Sequence, residues 1–316
     1  MKNEFFSAPG RIEICGNHTD HQRGSVLAAA IDLDTSCVAA ANGTNTIRIM
    51  SEGFGAADVD LLDLNPRERE KGSMISLVRG VAAWFKEAGY SVGGFTADVK
   101  SSIPAGVGLS SSAAFEVLIG NVFKGLFSLS ASPLDIALAG QFAENRYFGK
   151  PSGLMDQAAS SFGGMMTIDF FDPIKPVITK LNADFNGYDI CVVRTGDSHA
   201  GSTHEYADIP AEMEAIAGYF GESSLRTVPQ AAFYSAINDL RNLSDRAILR
   251  AIHFFDEMNR VEKQAAALQR GDIKEFLSLI IESGRSSAMY LQNIYSPETP
   301  ARQGLSLALA LSEKIL

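Results

Sequence analysis

The apolar positions of this 316-residue chain follow two different patterns, and the change comes near residue 185. Up to that point short apolar or β-branched runs at 46–50, 94–99 and 165–169 read as strands alternating with helical segments. Met74, Val78, Val81 and Phe85 recur at helical spacing, which predicts a helix over 74–88 stopped by a left-handed Gly89. Beyond 185, residues 188–193 read as a strand and almost everything else as helix. The clearest of these helices has Ser244 as N-cap, carries Ile248, Ile252, Phe255, Val261 and Leu268 on one face, and ends at Gly271. Another is expected to run from Pro300 through Leu305 and Leu309 to the last residue. No repeat or low-complexity linker intervenes, so the change of pattern divides the chain into 1–185 and 186–316, and the second part has too few strands for a sheet of its own.

Composition and charge narrow what such a chain can do. Its length allows a substantial core, and 46% hydrophobic with 20% charged residues is ordinary for a globular protein. Lys and Arg number 27 against 37 Asp and Glu, a net charge of −10. That charge opposes the phosphate neutralisation on which nucleic-acid binding depends, and no basic stripe relieves it, so no nucleic acid is expected as partner. The longest stretch free of charged residues, 101–115, is too short and too polar to span a bilayer, so no membrane is expected either. Three spaced cysteines, Cys15, Cys37 and Cys191, leave at least one unpaired, and residues 1–7 lack an apolar signal segment; both point to a cytoplasmic protein. Nothing marks the oligomeric state, and a monomer is the default.

Three segments concentrate chemistry. Residues 97–114 enter as a strand and leave as a helix. Gly106 and Gly108 let backbone N–H groups approach an anion, Ser110, Ser111 and Ser112 add hydroxyl donors, and the helix N-terminus adds partial positive charge, so the segment reads as a phosphate cradle. The Walker A pattern fails, because Gly149-Lys150 is followed by Pro151. The dinucleotide fingerprint fails too, because Ser111 stands at its third glycine. A Gly/Ser turn capping a buried helix would give the same pattern.

Residues 9–24 crowd Arg11, Asn17, His18, Asp20 and His21 into one short span, a mixture of donors and acceptors that suits a polyhydroxylated ligand. A metal held by His18, Asp20 and His21 is the rival reading, and a solvated polar turn the plain one. Further on, Glu144 lies near the end of a helix carrying Ile136, Ala139 and Phe142, and Asp156 follows a turn punctuated by Pro151 and Gly153. Phosphoryl transfer needs a Mg²⁺ ligand and a residue that orients or deprotonates the attacking hydroxyl, and these two acids could fill both posts; each also reads as a solvated charge.

In this order the segments resemble those of the galactokinase branch of the GHMP small-molecule kinases. Gly10-Arg11 followed by Gly16-Asn17-His18-Thr19-Asp20 resembles the galactokinase signature, residues 104–114 resemble the superfamily's phosphate loop, and Gly153-Leu154-Met155-Asp156-Gln157 matches the segment that carries the catalytic aspartate. The resemblance runs over residues 8–206. It implies a two-domain α+β GHMP kinase fold, with an N-terminal domain like ribosomal S5 domain 2 and a ferredoxin-like C-terminal domain. That second domain is expected to be incomplete at its C-terminus, because the family's third, glycine-rich motif has no counterpart. The activity implied is ATP-dependent phosphorylation of the anomeric hydroxyl of galactose, with a sugar and ATP as small-molecule partners and Mg²⁺ as cofactor.

Carried over residue by residue, Asp156 would be the base or orienting carboxylate, and Arg11 would sit beside it and offset charge on the transferring phosphoryl group. Pro104, Gly106, Gly108, Leu109, Ser110, Ser111 and Ser112 would hold the triphosphate, and Ser112 and Glu144 match the metal positions. Asn17, His18, Asp20 and Gly153 match sugar contacts, as does Tyr206, in the segment 198–206, at the sugar's axial hydroxyl. Three residues depart from the signature: Asn17 stands where Glu is usual, Glu13 where Asn is usual and His21 where Tyr is usual. A neutral Asn17 weakens the expected bond to the 6-hydroxyl and stops repelling a carboxylate there. Galacturonate or N-acetylgalactosamine is therefore the alternative substrate, and a non-catalytic sensor of galactose and ATP the alternative from another class. Trp84 is expected in the core.

Overall fold

The computed structural model describes residues 2–315 except Phe54, Ala105, Asp184, Asn186 and 196–202. Residues 198–202, which lead to Tyr206, and Leu316 therefore lie outside the described residues. The chain forms two compact units that interleave in sequence, Met1–Ile12 with Ala29–Gly164, and Glu13–Ala28 with Met165–Leu316. This differs from a single boundary at 185. Residues 13–28 and 165–185 belong with the helical part because their apolar side chains are buried there: Cys15, Leu27 and Leu181 share one cluster with Val261, Leu268 and Phe276.

In chain order the first elements are β1 (Glu4–Cys15), β2 (Ser25–Ala41), β3 (Thr46–Ser51), β4 (Gly55–Asp60), α1 (Met74–Glu87), β5 (Phe95–Ser101), α2 (Ser111–Leu126), α3 (Pro133–Ala143) and α4 (Met155–Phe162). In the first unit the strands run β4-β3-β5-β2, with β1 also on β2; β5 is antiparallel to β2 and parallel to β3. Residues 4–15, expected to be partly a polar loop, are strand, and so Arg11 projects from a sheet. The helix predicted over 74–88 is α1, capped by Ser73 and stopped at Gly89 with φ 85°. Val78, Val81 and Phe85 of α1 pack with Ile47, Phe95, Leu118 and Phe123, and Trp84 packs against the same core.

Gly80 lies where α1 meets α3. A Cβ there would fall 2.6 Å from Ala143 Cα and 2.7 Å from its Cβ, so only glycine admits this approach. α3 begins with a capping box, Ser132 with Asp135, and ends in a π-helical turn, Glu144–Phe148, that places Glu144 at its first position.

The second unit continues with β6 (Met165–Asp169), antiparallel to β7 (Val177–Leu181). The helices α5 (Thr203–Tyr219), α6 (Gln230–Ser235), α7 (Ile237–Leu240), α8 (Asp245–Arg270), α9 (Ile273–Ser286) and α10 (Gly304–Ile315) follow, with a π-helical turn, Ser287–Leu291, after α9. Met213, Ile216, Phe233, Leu240 and Phe254 form its main core. α8 has the expected cap, Ser244 accepting from the Ala247 N–H, and the expected stop at Gly271. Two expectations fail. Residues 188–193 form no strand, because Tyr188, Ile190, Val192 and Val193 are exposed and no ladder receives them. The last helix starts at Gly304 and not at Pro300, which lies in a turn closed by the Arg302 N–H on the Thr299 carbonyl. Among the described residues no helix is long and apolar enough to cross a membrane.

Candidate active site

Asp156 occupies the first turn of α4. Its Oδ1 accepts from Arg11 Nε at 2.8 Å and lies 2.6 Å from Nη2, while Ser110 Oγ donates to Oδ2 at 2.5 Å. Arg11 Nη1 donates to the Gly108 carbonyl at 2.7 Å. One guanidinium thus ties the carboxylate to the loop between β5 and α2, through bonds in which both partners are charged or one is. Pro104 opens that loop, and Leu109 anchors it by burial with Ile103 and Ala114. Gly106 and Gly108 have φ of 72° and 81°; a Cβ on either would meet nothing within 4 Å, so backbone conformation and not crowding calls for glycine.

Ser110 precedes α2 with φ 57° and ψ 50° and makes no capping bond, its hydroxyl being committed to Asp156. A non-glycine residue held there costs about 1–3 kcal/mol, a strain typical of functional loops. The N–H groups of the first α2 turn, at Ser111 and Ser112, therefore have no side-chain cap and point where an anion binds best.

Glu144 is buried, with Oε1 accepting from Ser112 Oγ at 2.9 Å and from Lys150 Nζ at 3.4 Å, and Oε2 accepting from Ser152 Oγ and from Gln157 Nε2 at 3.1 Å. Ser112 and Glu144 offer hard oxygen donors. Their 2.9 Å separation is that of a hydrogen bond, and both oxygens are of the hard kind that Mg²⁺ takes. Gln157 Nε2 donates as well to Glu116 Oε2 at 2.9 Å. Glu116 is fully buried, and its carboxyl is pushed well up, first by burial and then by the charge of Glu144. Sequence reasoning missed it, although it stands one helical turn after Ser112 on the same face of α2. Gly153 lies in the irregular segment just before α4.

In the second unit the signature residues form an aromatic and polar cluster. The His18 ring stacks on His21, with centroids 5.4 Å apart, and lies 4.9 Å from the ring of Tyr206, which projects from the first turn of α5. His21 Nε2 is 3.0 Å from Tyr206 Oη, and Asp20 Oδ1 accepts the His21 N–H at 2.9 Å. His18 Nδ1 is buried without a partner, and burial first, then the neighbouring His21, His253 and Arg250, pushes this imidazole down to about 3. It is therefore a neutral donor and acceptor at ordinary pH. Among the described residues no three His, Cys, Asp or Glu side chains are arranged to hold a metal ion.

Asn17 Nδ2 donates to Ser287 Oγ at 3.1 Å, and the Asn17 carbonyl lies 2.9 Å from His253 Nε2. Four residues on, buried Glu257 accepts from the Gly16 N–H and from Cys15 Sγ. Neither His253 nor Glu257 was singled out from sequence. The available signal was their spacing: Arg250, His253, Glu257, Arg260 and Gln264 recur along one stripe of a helix read for its apolar residues alone.

Known proteins are similar to this chain in sequence and in fold. Residues 76–164, which contain the phosphate-type loop, Glu144 and Asp156, match the N-terminal domain of the GHMP kinases, a class of small-molecule phosphotransferases, and residues 2–41 match the galactokinase galactose-binding signature. The galactokinase of Lactococcus lactis subsp. cremoris is 32% identical over 291 residues, covering 90% of this chain and 72% of the relative, and that of Lactococcus lactis subsp. lactis is 31% identical over the same shares. The crystal structure of Lactococcus lactis galactokinase complexed with galactose superposes with a TM-score of 0.82 at 30% identity, covering 94% of this chain and 77% of that one. A Streptococcus pneumoniae phosphomevalonate kinase, at 14% identity, TM-score 0.61 and coverage of 94% and 83%, shares the fold. The chain belongs to the galactokinase family.

Proposed function

We propose that this chain transfers the γ-phosphoryl group of ATP to the anomeric hydroxyl of galactose, giving galactose 1-phosphate and ADP. The observation that carries the reading is the pairing of Asp156 with Arg11, whose guanidinium also grips the Gly108 carbonyl. In this reading Asp156 orients the sugar hydroxyl and takes its proton at Oδ2, the oxygen that Arg11 leaves to Ser110. Arg11 fixes the carboxylate and offsets charge on the phosphoryl group in transit. Gly106, Gly108, Ser110 and Ser111, with the start of α2, hold the phosphates. Ser112 and Glu144 would hold Mg²⁺, which when bound supplies charge neutralisation at the phosphates.

His18, Asp20, Tyr206, Asn17 and Gly153 recognise the sugar. A neutral sugar suits them better than a uronate: His18 is held neutral by burial, Asn17 spends an amide hydrogen on Ser287, and Asp20 would repel a carboxylate. The three cysteines are unpaired, which supports a reducing, cytoplasmic setting. The test mixes the protein with Mg·ATP and a panel of galactose, glucose, N-acetylgalactosamine and galacturonate and follows ADP release. Galactose is expected to give the highest kcat/KM, and ADP release that no sugar stimulates would refute the reading.

A further inference from the structure

We propose that His253 and Glu257, one turn apart on α8, are positioning residues that lock the backbone of the signature loop and so hold His18 in its binding conformation. The proposal deepens the sugar-kinase reading and rests on it for its effect on turnover. Its starting point is strain. His18 has φ 62°, a conformation that side-chain-bearing residues keep only when their surroundings over-determine it. The Asn17 carbonyl and the His18 N–H share one peptide plane, so whatever holds that carbonyl also restricts φ of His18.

His253 Nε2 lies 2.9 Å from the Asn17 oxygen, and Nδ1 lies 2.9 Å from Ser286 Oγ. A carbonyl can only accept, so Nε2 carries the hydrogen and Nδ1 accepts from the serine, a single neutral tautomer. Glu257 acts two residues earlier. Its Oε1 accepts the Gly16 N–H and Cys15 Sγ, each at 3.1 Å, and so pins the peptide plane between residues 15 and 16. Ser283 Oγ donates to the same oxygen at 2.5 Å and Arg260 Nε to Oε2 at 2.7 Å, which leaves the carboxylate paired. Both residues are fully buried. Burying an imidazole and a carboxylate on a helix, here on a stripe shared with buried Arg250, Arg260 and Gln264, is unfavourable unless the bonds they make are retained. Here one bond from each goes to the backbone of one strained loop, and the others, to Ser286, Ser283, Arg260 and Cys15, hold the two groups in place.

The test uses the full chain. His253→Leu keeps the volume and removes the donor, whereas His253→Gln can return an N–H to the Asn17 carbonyl. His253→Leu is expected to raise KM for galactose about tenfold and to leave KM for ATP within about twofold, and His253→Gln to recover to within about threefold of wild type. Nitrogen-15 spectra of labelled histidine provide a readout free of turnover. With 5 histidines in the chain the rings are separable; wild type should show His253 as the Nε2–H tautomer, and the His18 signals should move in His253→Leu. A folded His253→Leu protein with unmoved His18 signals overturns the proposal, as does a parallel rise in KM for ATP. Should that variant not fold, Ser286→Ala removes only the hydroxyl that steadies the ring at Nδ1 and should shift the same signals. If the wild type turns over no sugar, the proposed function fails, while the His18 spectrum still decides whether the clamp exists.

Discussion

Asp156→Asn separates chemistry from architecture more sharply than any other single change. The wild-type carboxylate receives three donors, two nitrogens of Arg11 on Oδ1 and Ser110 Oγ on Oδ2. An asparagine can keep its carbonyl oxygen toward Arg11 and turn its amide toward Ser110, whose hydroxyl then accepts in place of donating. Hydrogen-bond connectivity survives, and what disappears is one ion pair whose side chains are 13% and 26% exposed. With the Gly108 carbonyl still engaging Arg11, the loss of stability should be about 1–2 kcal/mol. The loss of turnover should be far larger, about 10²- to 10⁴-fold in kcat, because the amide cannot take a proton. ADP release at saturating galactose measures the second quantity, denaturant unfolding the first, and titration with Mg·ATP should give an affinity close to wild type. A variant that keeps more than a tenth of the wild-type kcat would refute the role given to this carboxylate.

Other consequences are equally measurable. His18 is neutral down to about 3 in the folded chain but protonates near 6.5 when unfolded. The unfolded state therefore binds more protons between these values, and stability falls as pH drops through that window, by about 2 kcal/mol at pH 5. His18→Asn, which tolerates the left-handed backbone, should flatten the slope between pH 5 and 6.5 but not abolish it, because burial also pushes His253 down; an unchanged slope would exclude His18 as its source. Gly108→Ala meets no steric obstacle, so its expected cost is about 1–2 kcal/mol of backbone strain together with a raised KM for ATP and an unchanged KM for galactose. Arg79 is buried and bonded to both oxygens of Glu70, at 2.7 and 2.9 Å. Arg79→Met should lower unfolding stability by about 3 kcal/mol, the low end for a broken buried pair because Arg67 Nη1 stays 3.3 Å from Glu70 Oε1, and a loss under 1 kcal/mol would show that Arg67 alone suffices for the carboxylate.

The helices most visible in the sequence, α1 and α8, carry their own boundaries: Ser73 and Ser244 as caps, Gly89 and Gly271 as left-handed stops. β1 and β2 were far less visible. Pro9-Gly10 interrupts the first like a turn, and the second mixes alanines with Asp32 and Asp34, residues with little strand preference that only pairing in the sheet overrides. Residues 188–193 err the other way, since β-like residues become a strand only if a ladder accepts them. At the candidate site the residue types were legible one by one, but the 145-residue separation of Arg11 and Asp156 is closed by the fold alone. His253, Glu257 and Glu116 stayed hidden because a buried polar residue on a helix has no evident partner until the loop or side chain it serves is in place.

Gly80 sits far along the chain from any candidate donor, yet it governs how near α1 approaches Ala143, the residue directly before Glu144. Enlarging it would shove the end of α3 outward and swing the carboxylate away from Ser112 while leaving each proposed ligand in the sequence. Such a protein would mimic a chemical lesion, hungry for divalent ion and slow, with an inventory of reactive groups that looks untouched. Tolerance to drift at this position should therefore be as narrow as at the ligands themselves, for reasons of clearance rather than reactivity.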